Sequence, residues 1–112
     1  MTEPVRIGLV GLGGWGKNLL RNFASLAEAD LRWACDADPG RRDTFTPAHP
    51  STRFTGDVDD LLGDPDLEAV VIATPVPTHL DLALRALAAG KHVMVEKPMA
   101  TSVADADRMI DA

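Results

Sequence analysis

The chain has 112 residues, 46% of them hydrophobic, which is typical of one globular domain with a single core and excludes a largely disordered chain. Acidic residues outnumber basic ones by 17 to 11, and the net charge of −6 argues against nucleic acid as a partner. The single cysteine, Cys35, excludes an internal disulfide, and three scattered histidines predict no metal site.

The first half of the chain alternates short apolar runs with longer amphipathic stretches. Residues 5–10 predict a strand that is buried on both faces and ends at Gly11. Apolar residues recur at helical spacing over 15–27 and predict a helix that packs on a sheet. Residues 31–35 predict a second strand, and the proline-containing segment 38–50 predicts only a short helix.

The middle of the chain continues this alternation. Residues 53–55 predict a brief third strand, and residues 58–62 predict a helical turn. Residues 69–73 are five small or branched apolar residues in a row, which predict a fourth strand in the interior of the sheet. Alternation of this kind is the pattern of a parallel sheet with helical crossovers, so the predicted fold class is α/β.

The last third predicts two helices around a fifth strand. Thr78 and Asp81 resemble a helix start, and Gly90 supplies the C-terminal cap of that helix. The fifth strand covers residues 92–96, and a last helix begins near Ser102. The apolar residues that this last helix groups on one face are Val103, Ala106 and Ile110.

A glycine-rich segment follows the first predicted strand. Residues 11–16 read Gly-Leu-Gly-Gly-Trp-Gly and fit G-x-G-x-x-G between a strand and a helix. Gly11 permits a tight turn, Gly13 lets a pyrophosphate approach the backbone, and Gly16 lets the helix pack closely on the strand. The phosphates would lie at the helix N-terminus. A glycine-rich turn without a ligand is the alternative. The predicted cofactor-binding residues of this segment are Gly11, Gly13, Gly14, Trp15 and Gly16.

An acidic residue ends the second predicted strand. Asp36 lies about 20 residues beyond the last glycine, where a carboxylate accepts hydrogen bonds from an adenosine ribose hydroxyl and favours NAD over NADP. The alternative is a solvated loop acid. Arg41 is also predicted to contact the cofactor and is suited to a 2′-phosphate, but Asp36 and Asp38 would repel that phosphate. NAD is therefore the predicted cofactor, and NADP is the alternative.

Polar segments also follow the fourth and fifth strands. Because carboxyl ends of parallel strands share one sheet edge, both segments are expected beside the glycine loop, with the nicotinamide half of the cofactor. Lys97 is the candidate catalytic residue, since an ammonium there polarises a carbonyl or favours loss of a hydroxyl proton. The alternative is a surface lysine paired with Glu96. Pro98 restricts the backbone of Lys97 and permits a cis bond that fixes the direction of the lysine. His79 is predicted to be structural, close to the cofactor ribose or phosphates.

Taken together, these motifs resemble the glucose-fructose oxidoreductase and inositol dehydrogenase (Gfo/Idh/MocA) superfamily. The resemblance rests on G-L-G-G-W-G, A-T-P-V-P-T-H and G-K-H-V-M-V-E-K-P, in that order, and covers nearly the whole chain. It implies that Lys97 is the active-site lysine. The further residues that it implies on the cofactor side are Thr74, Pro75, His79 and Glu96. The stretch 13–23 is similar to members that act on UDP-N-acetylhexosamine-type substrates.

The resemblance also implies a division of labour between domains. Family members have a second α/β domain that supplies the substrate pocket and most of the oligomer interface. We therefore expect residues 1–112 to be an NAD(P)-binding Rossmann domain, an open parallel sheet of about five strands with helices on both faces, truncated before that second domain. Such a fragment is expected to bind the cofactor without turnover, since it cannot orient a substrate.

The predicted activity is transfer of hydride between nicotinamide and a hydroxyl-bearing carbon of a sugar or nucleotide sugar. One alternative is a non-catalytic module that senses dinucleotide or binds a partner, and another is a methyltransferase-like nucleoside binder. No apolar run approaches the roughly 20 residues that cross a bilayer, and residues 1–4 lack the basic start of a signal peptide. We therefore expect a cytoplasmic protein without a membrane partner, and a homo-oligomer at full length.

Overall fold

The computed structural model describes residues 3–112 and contains one five-stranded sheet among them. Every strand pair is parallel, as the alternation of apolar runs predicts. The strands are β1 (Val5–Val10), β2 (Ala29–Cys35), β3 (Arg53–Thr55), β4 (Ala69–Ile72) and β5 (His92–Val95). Their order across the sheet is β3-β2-β1-β4-β5.

Helices cover both faces of this sheet. They are α1 (Gly16–Ser25), α2 (Pro39–Phe45), α3 (Val58–Leu62), α4 (His79–Ala88) and α5 (Val103–Asp111), with short 3₁₀ turns at Thr46–Ala48 and Val76–Thr78. One core cluster joins α1 to one face of the sheet, and a second joins α3, α4 and α5 to the other. Within the described part of the chain, no helix is long and apolar enough to span a membrane. The predicted α/β class is confirmed.

Side chains and one glycine determine where most helices begin and end. The side chains of Asp38, Asp57 and Ser102 each accept a hydrogen bond from a first-turn N–H of α2, α3 and α5 respectively. Gly90, with φ of +80°, ends α4, and its N–H and that of Lys91 donate to carbonyls of the last turn. The predicted glycine cap is therefore confirmed.

The helix start predicted at Thr78 is confirmed, since Thr78 directly precedes α4 and Asp81 lies in its first turn, but the side-chain cap that this pattern suggests is absent. The Thr78 hydroxyl does not cap α4. It bonds instead to the hydroxyl of Thr74 and to the carbonyl oxygen of Pro75, both at 2.6 Å. The reason is that the preceding 3₁₀ turn already gives Thr78 helical backbone angles, whereas a capping side chain needs an extended backbone.

The apolar face predicted for α5 differs from the face that the structure buries. Val103 and Ile110 are 78% and 71% exposed, whereas Met109 is buried in the cluster that contains Ala83 and Ala86 of α4. The α5 helix packs against α4, and this neighbour decides which residues are covered. Periodicity identifies an apolar stripe, but the partner element selects the residues that are buried.

Strand order places four chain segments at one edge. The order reverses between β1 and β4, with β1 paired to both β2 and β4. The residues that follow β1, β2, β4 and β5 therefore meet at the carboxyl edge of the sheet, beside the reversal point where open α/β sheets bind ligands.

Candidate dinucleotide-binding site

The glycine loop between β1 and α1 is shaped by close backbone contacts. Gly11 has φ of +105°, and a Cβ there would lie 2.7 Å from the carbonyl oxygen of Ala73. A Cβ on Gly16 would collide with the carbonyl oxygen of Gly11, so α1 begins directly against the end of β1. Gly14, with φ of +48°, faces open space. The loop thus leaves its backbone accessible at the N-terminus of α1, where anions are favoured.

A cavity of roughly 350 Å³, here called the central cavity, opens above this loop. It collects the segments that follow β1, β4 and β5, as their place at one edge predicts. Its lining residues are Gly11, Gly13, Gly14, Trp15, Arg41, Ala73, Thr74, Pro75, Val76, His79, Glu96 and Lys97.

A second cavity of roughly 570 Å³, here called the acidic cavity, lies beside the end of β2. Gly11 and Thr74 line both cavities, so the two adjoin at the centre of the sheet edge. The other residues of the acidic cavity are Val10, Cys35, Asp36, Ala37, Gly56, Asp57, Val58 and Arg85. Together the two cavities form an elongated site.

The Asp36 carboxylate joins the ends of β1 and β2. Its Oδ2 accepts the N–H of Leu12 at 2.9 Å, and its Oδ1 accepts the N–H of Asp38 at 2.8 Å. Burial raises the pKa of Asp36, but the N–H groups of Asp38 and Leu12 and the guanidinium of Arg41 outweigh burial and hold that pKa below its usual value of 3.8. The carboxylate keeps unused acceptor positions for a hydroxyl ligand.

Arg41 lies across the glycine loop. Its Nη1 is 3.5 Å from Oδ2 of Asp36 and its Nε is 3.9 Å from Oδ2 of Asp38. A Cβ on Gly13 would lie 2.5 Å from Nη1 of Arg41, so the guanidinium lies against Gly13. Arg41 therefore lies between the carboxylates and the face of the loop where a phosphate would approach. Its side chain is about half exposed, which lets it move.

Lys97 follows β5 and lines the central cavity with an exposed side chain. Glu96 continues the ladder, since its N–H donates to the carbonyl oxygen of Ile72 at 3.0 Å. The Lys97–Pro98 bond is cis. The ion pairs formed within residues 3–112 do not include Lys97, so the pairing with Glu96 that offered an alternative role does not occur there.

His79 lines the same cavity, but its side chain is only 1% exposed. Its Nε2 lies 2.8 Å from the carbonyl oxygen of Thr74, and its Nδ1 lies 3.1 Å from that of Pro98. Both ring nitrogens therefore contact the protein backbone. Pro98 itself contributes a carbonyl to His79 and does not line either cavity.

Sequence reasoning missed several residues of this site. Gly56 and Asp57 follow β3 and border the acidic cavity. Asp57 comes just after a strand, as Asp36 does, and this shared position could have identified it from the sequence. Cys35 is 4% exposed at the same cavity, and burial raises the pKa of its thiol to about 11, so the thiol stays protonated and unreactive at neutral pH.

These residues fit a dinucleotide. A glycine loop with an accessible backbone, a carboxylate at the end of β2 and two adjoining cavities at the reversal point define a dinucleotide-binding Rossmann domain. The chain belongs to the Gfo/Idh/MocA family, described as an oxidoreductase family with an NAD-binding Rossmann fold, whose model matches residues 5–112. This assignment favours a dinucleotide over the nucleoside ligand of a methyltransferase.

Individual relatives agree with the family. Inositol 2-dehydrogenase of Acidothermus cellulolyticus is 40% identical over 98% of the chain and 33% of its own length. GenD2 from gentamicin A biosynthesis, solved with NAD, has a TM-score of 0.90 at 32% identity over 97% of this chain and 31% of that one. Scyllo-inositol dehydrogenase of Lactobacillus casei, solved with NAD(H) and scyllo-inositol, has a TM-score of 0.86 at 33% identity. The match covers 95% of this chain and 32% of that one. The chain thus spans about a third of the length of these relatives.

Proposed function

We propose that this chain binds NAD along the carboxyl edge of its sheet. The observation that carries the proposal is that the central and acidic cavities adjoin at Gly11 and Thr74, directly above the glycine loop. The adenosine ribose is assigned to Asp36 in the acidic cavity and the pyrophosphate to the glycine loop. The nicotinamide half is assigned to the central cavity beside Lys97.

The charges at the end of β2 favour NAD over NADP. The ionised carboxylate of Asp36 accepts ribose hydroxyls and repels a 2′-phosphate, and Asp38 adds a second negative charge. Arg41 already pairs with both carboxylates, so it offers a 2′-phosphate little uncompensated positive charge. NADP binding would require Arg41 to leave these partners.

In the whole protein, we propose a dehydrogenase that acts on a hydroxyl-bearing carbon of a sugar, a sugar-like cyclitol or a nucleotide sugar. NAD, when bound, accepts the hydride from that carbon. The ammonium of Lys97 would stabilise the negative charge on the substrate oxygen as the hydroxyl proton passes to solvent. The remaining two thirds of the length of the relatives would supply the substrate domain and the oligomer interface, and residues 1–112 alone would bind NAD without turnover. A cytoplasmic location remains a prediction.

The lysine is the residue that separates this proposal from a non-catalytic module. In the whole protein, Lys97→Met is expected to lower kcat by about 10²- to 10³-fold, the usual contribution of one group that stabilises developing charge on a substrate oxygen. The dissociation constant of NAD is expected to change by less than about threefold, because the Lys97 side chain is exposed and forms no ion pair within residues 3–112. Lys97→Arg keeps the positive charge and is expected to recover part of the loss.

The measurement is NAD reduction followed by absorbance, with scyllo-inositol, D-glucose and UDP-N-acetylglucosamine as probes. The proposal is supported if the wild type oxidises at least one of these probes and Lys97→Met does not. The role of Lys97 is contradicted if Lys97→Met oxidises a probe as well as the wild type does. NAD binding without oxidation of any of the three probes would favour the non-catalytic module.

A further inference from the structure

His79 is a buried polar side chain at the wall of the central cavity. It is the first residue of α4, and 1% of its surface is exposed. A buried imidazole needs hydrogen-bond partners, because an unpaired polar group costs more than an apolar one in the same place. Its partners therefore indicate what the ring does.

The ring nitrogens contact two different loops. Nε2 lies 2.8 Å from the carbonyl oxygen of Thr74, after β4. Nδ1 lies 3.1 Å from that of Pro98 and 3.3 Å from that of Met99, both after β5. Carbonyl oxygens only accept hydrogen bonds, so the ring nitrogen that carries the proton donates to the loop that it faces. The other nitrogen lies against the carbonyl of the second loop, so the ring fills the space between the two loops.

The segment that carries Lys97 has few other anchors. The ladder of the sheet ends where the N–H of Glu96 donates to the carbonyl oxygen of Ile72. Within residues 3–112, the next main-chain hydrogen bond along the chain is the one that Ser102 accepts in α5. Between these points, the contacts of His79 are the hydrogen bonds made to the backbone, and Ala100 packs against the core cluster of α3, α4 and α5. Pro98 cannot donate a hydrogen bond from its own nitrogen.

We propose that His79 is a positioning residue for Lys97. By packing its ring between the carbonyls of the loops after β4 and β5, with a hydrogen bond to one of them, it joins the two walls of the central cavity and fixes the backbone from which Lys97 extends. This inference rests on the proposed function in one respect: the position of Lys97 matters because the nicotinamide half is assigned to the central cavity. His79 thus acts through the loop rather than on a ligand.

The first test measures the loop itself in the 112-residue chain. His79→Phe keeps an aromatic ring but removes both ring nitrogens, and His49→Phe changes a histidine outside both cavities as the matched control. Backbone ¹⁵N relaxation is expected to give order parameters of about 0.8 for Lys97, Met99 and Ala100 in the wild type and in the control, and below about 0.6 in His79→Phe. The glycine loop is expected to keep its wild-type values.

The second test separates positioning from general damage to the fold. NAD and ADP-ribose share the adenosine, both phosphates and the second ribose, but ADP-ribose lacks nicotinamide. Because loosening the loops after β4 and β5 disturbs the walls of the central cavity, and not only the Lys97 side chain, His79→Phe is expected to weaken NAD binding about tenfold, equivalent to about 1.4 kcal/mol. ADP-ribose binding is expected to weaken by less than about twofold. Equal weakening of both ligands would indicate a merely structural histidine.

The two readouts distinguish failure of this inference from failure of NAD binding. Unchanged order parameters in His79→Phe, or a loop that is already flexible in the wild type, would overturn the role of His79 whatever the chain binds. A wild type that binds neither ligand would overturn the proposed function, and with it the importance of the loop for nicotinamide. If His79→Phe does not fold, His79→Gln decides, because its amide can still donate to one loop, and an intermediate loss of order is expected.

Discussion

At the scale of single residues, Asp36 has two tasks that use the same carboxylate. It accepts the N–H groups of Leu12 and Asp38, which ties the glycine loop to the start of α2. It also faces the acidic cavity, where a ribose hydroxyl would be accepted. Its negative charge is needed for both tasks, so the ionisation that stabilises the fold also prepares the site.

This double role predicts a pH-dependent contribution to stability. Because the pKa of Asp36 in the folded chain lies below its usual value of 3.8, its contribution is complete above that value and is lost as the pH falls through the lower, folded-state pKa. We expect Asp36→Ala to lower the free energy of unfolding by about 1 to 3 kcal/mol at neutral pH, since it leaves N–H groups without their acceptor.

Urea unfolding at neutral pH and at about pH 3 checks this expectation, and the difference between the wild type and Asp36→Ala should be smaller at the lower pH. Asp43→Ala removes an exposed carboxylate of α2 and serves as the control, with an effect within about 0.5 kcal/mol. A difference for Asp36→Ala that does not change with pH would contradict the account of its ionisation.

Residues differ in how far the sequence predicts their place. Asp36 and the glycines follow from spacing, because each is tied to the end of one strand. The positions of Arg41 against Gly13 and of His79 between two loops do not follow, since they depend on side chains and carbonyls that are distant in sequence. The burial of His79 in particular requires β4, α4 and the loop after β5 to be assembled first.

At the scale of helices and strands, the first and last residues are predicted well where the signals that set them lie in the local sequence. The predicted bounds of β1, β3 and α3 match the structure, because turn residues or a capping aspartate flank each of them. The β2 strand begins two residues earlier than predicted, since Val5 pairs with Ala29 at the start of the ladder. Strand ends depend on the neighbouring strand, which the local sequence does not contain.

The end of α4 provides an element-level prediction. Gly90 has φ of +80°, a conformation that costs a residue with a side chain about 1 to 2 kcal/mol. Gly90→Ala is therefore expected to lower the free energy of unfolding by about that amount, although open space surrounds the position. Gly40→Ala is the control, because Gly40 lies in α2 with an ordinary φ. A Cβ there would lie 3.2 Å from Oδ1 of Asp38, but the higher helix propensity of Ala offsets this contact, so destabilisation is expected to be less than about 0.5 kcal/mol.

Urea unfolding of the two variants, measured together, separates backbone conformation from the methyl group that both introduce. If Gly40→Ala and Gly90→Ala destabilise the chain equally, the positive φ of Gly90 is not the cause.

At the scale of the whole molecule, the chain brings distant segments to one sheet edge. The glycine loop, Asp36, Thr74 and Lys97 come from different crossovers, and the order β3-β2-β1-β4-β5 aligns them. The α/β pattern predicts this arrangement because parallel strands with helical crossovers share one carboxyl edge. The chain itself spans about a third of the length of the relatives that it matches.

The central claim is that NAD binds at this edge with its ribose at Asp36, and calorimetric titration of the 112-residue chain tests it most directly. Asp36→Ala and Asp30→Ala make the same change at opposite ends of β2, and Asp30 lies outside both cavities. We expect NAD to bind more tightly than NADP, Asp36→Ala to weaken NAD at least about tenfold, and Asp30→Ala to change it by less than about twofold. A folded wild type that binds neither dinucleotide, or equal weakening by the two variants, would contradict the claim.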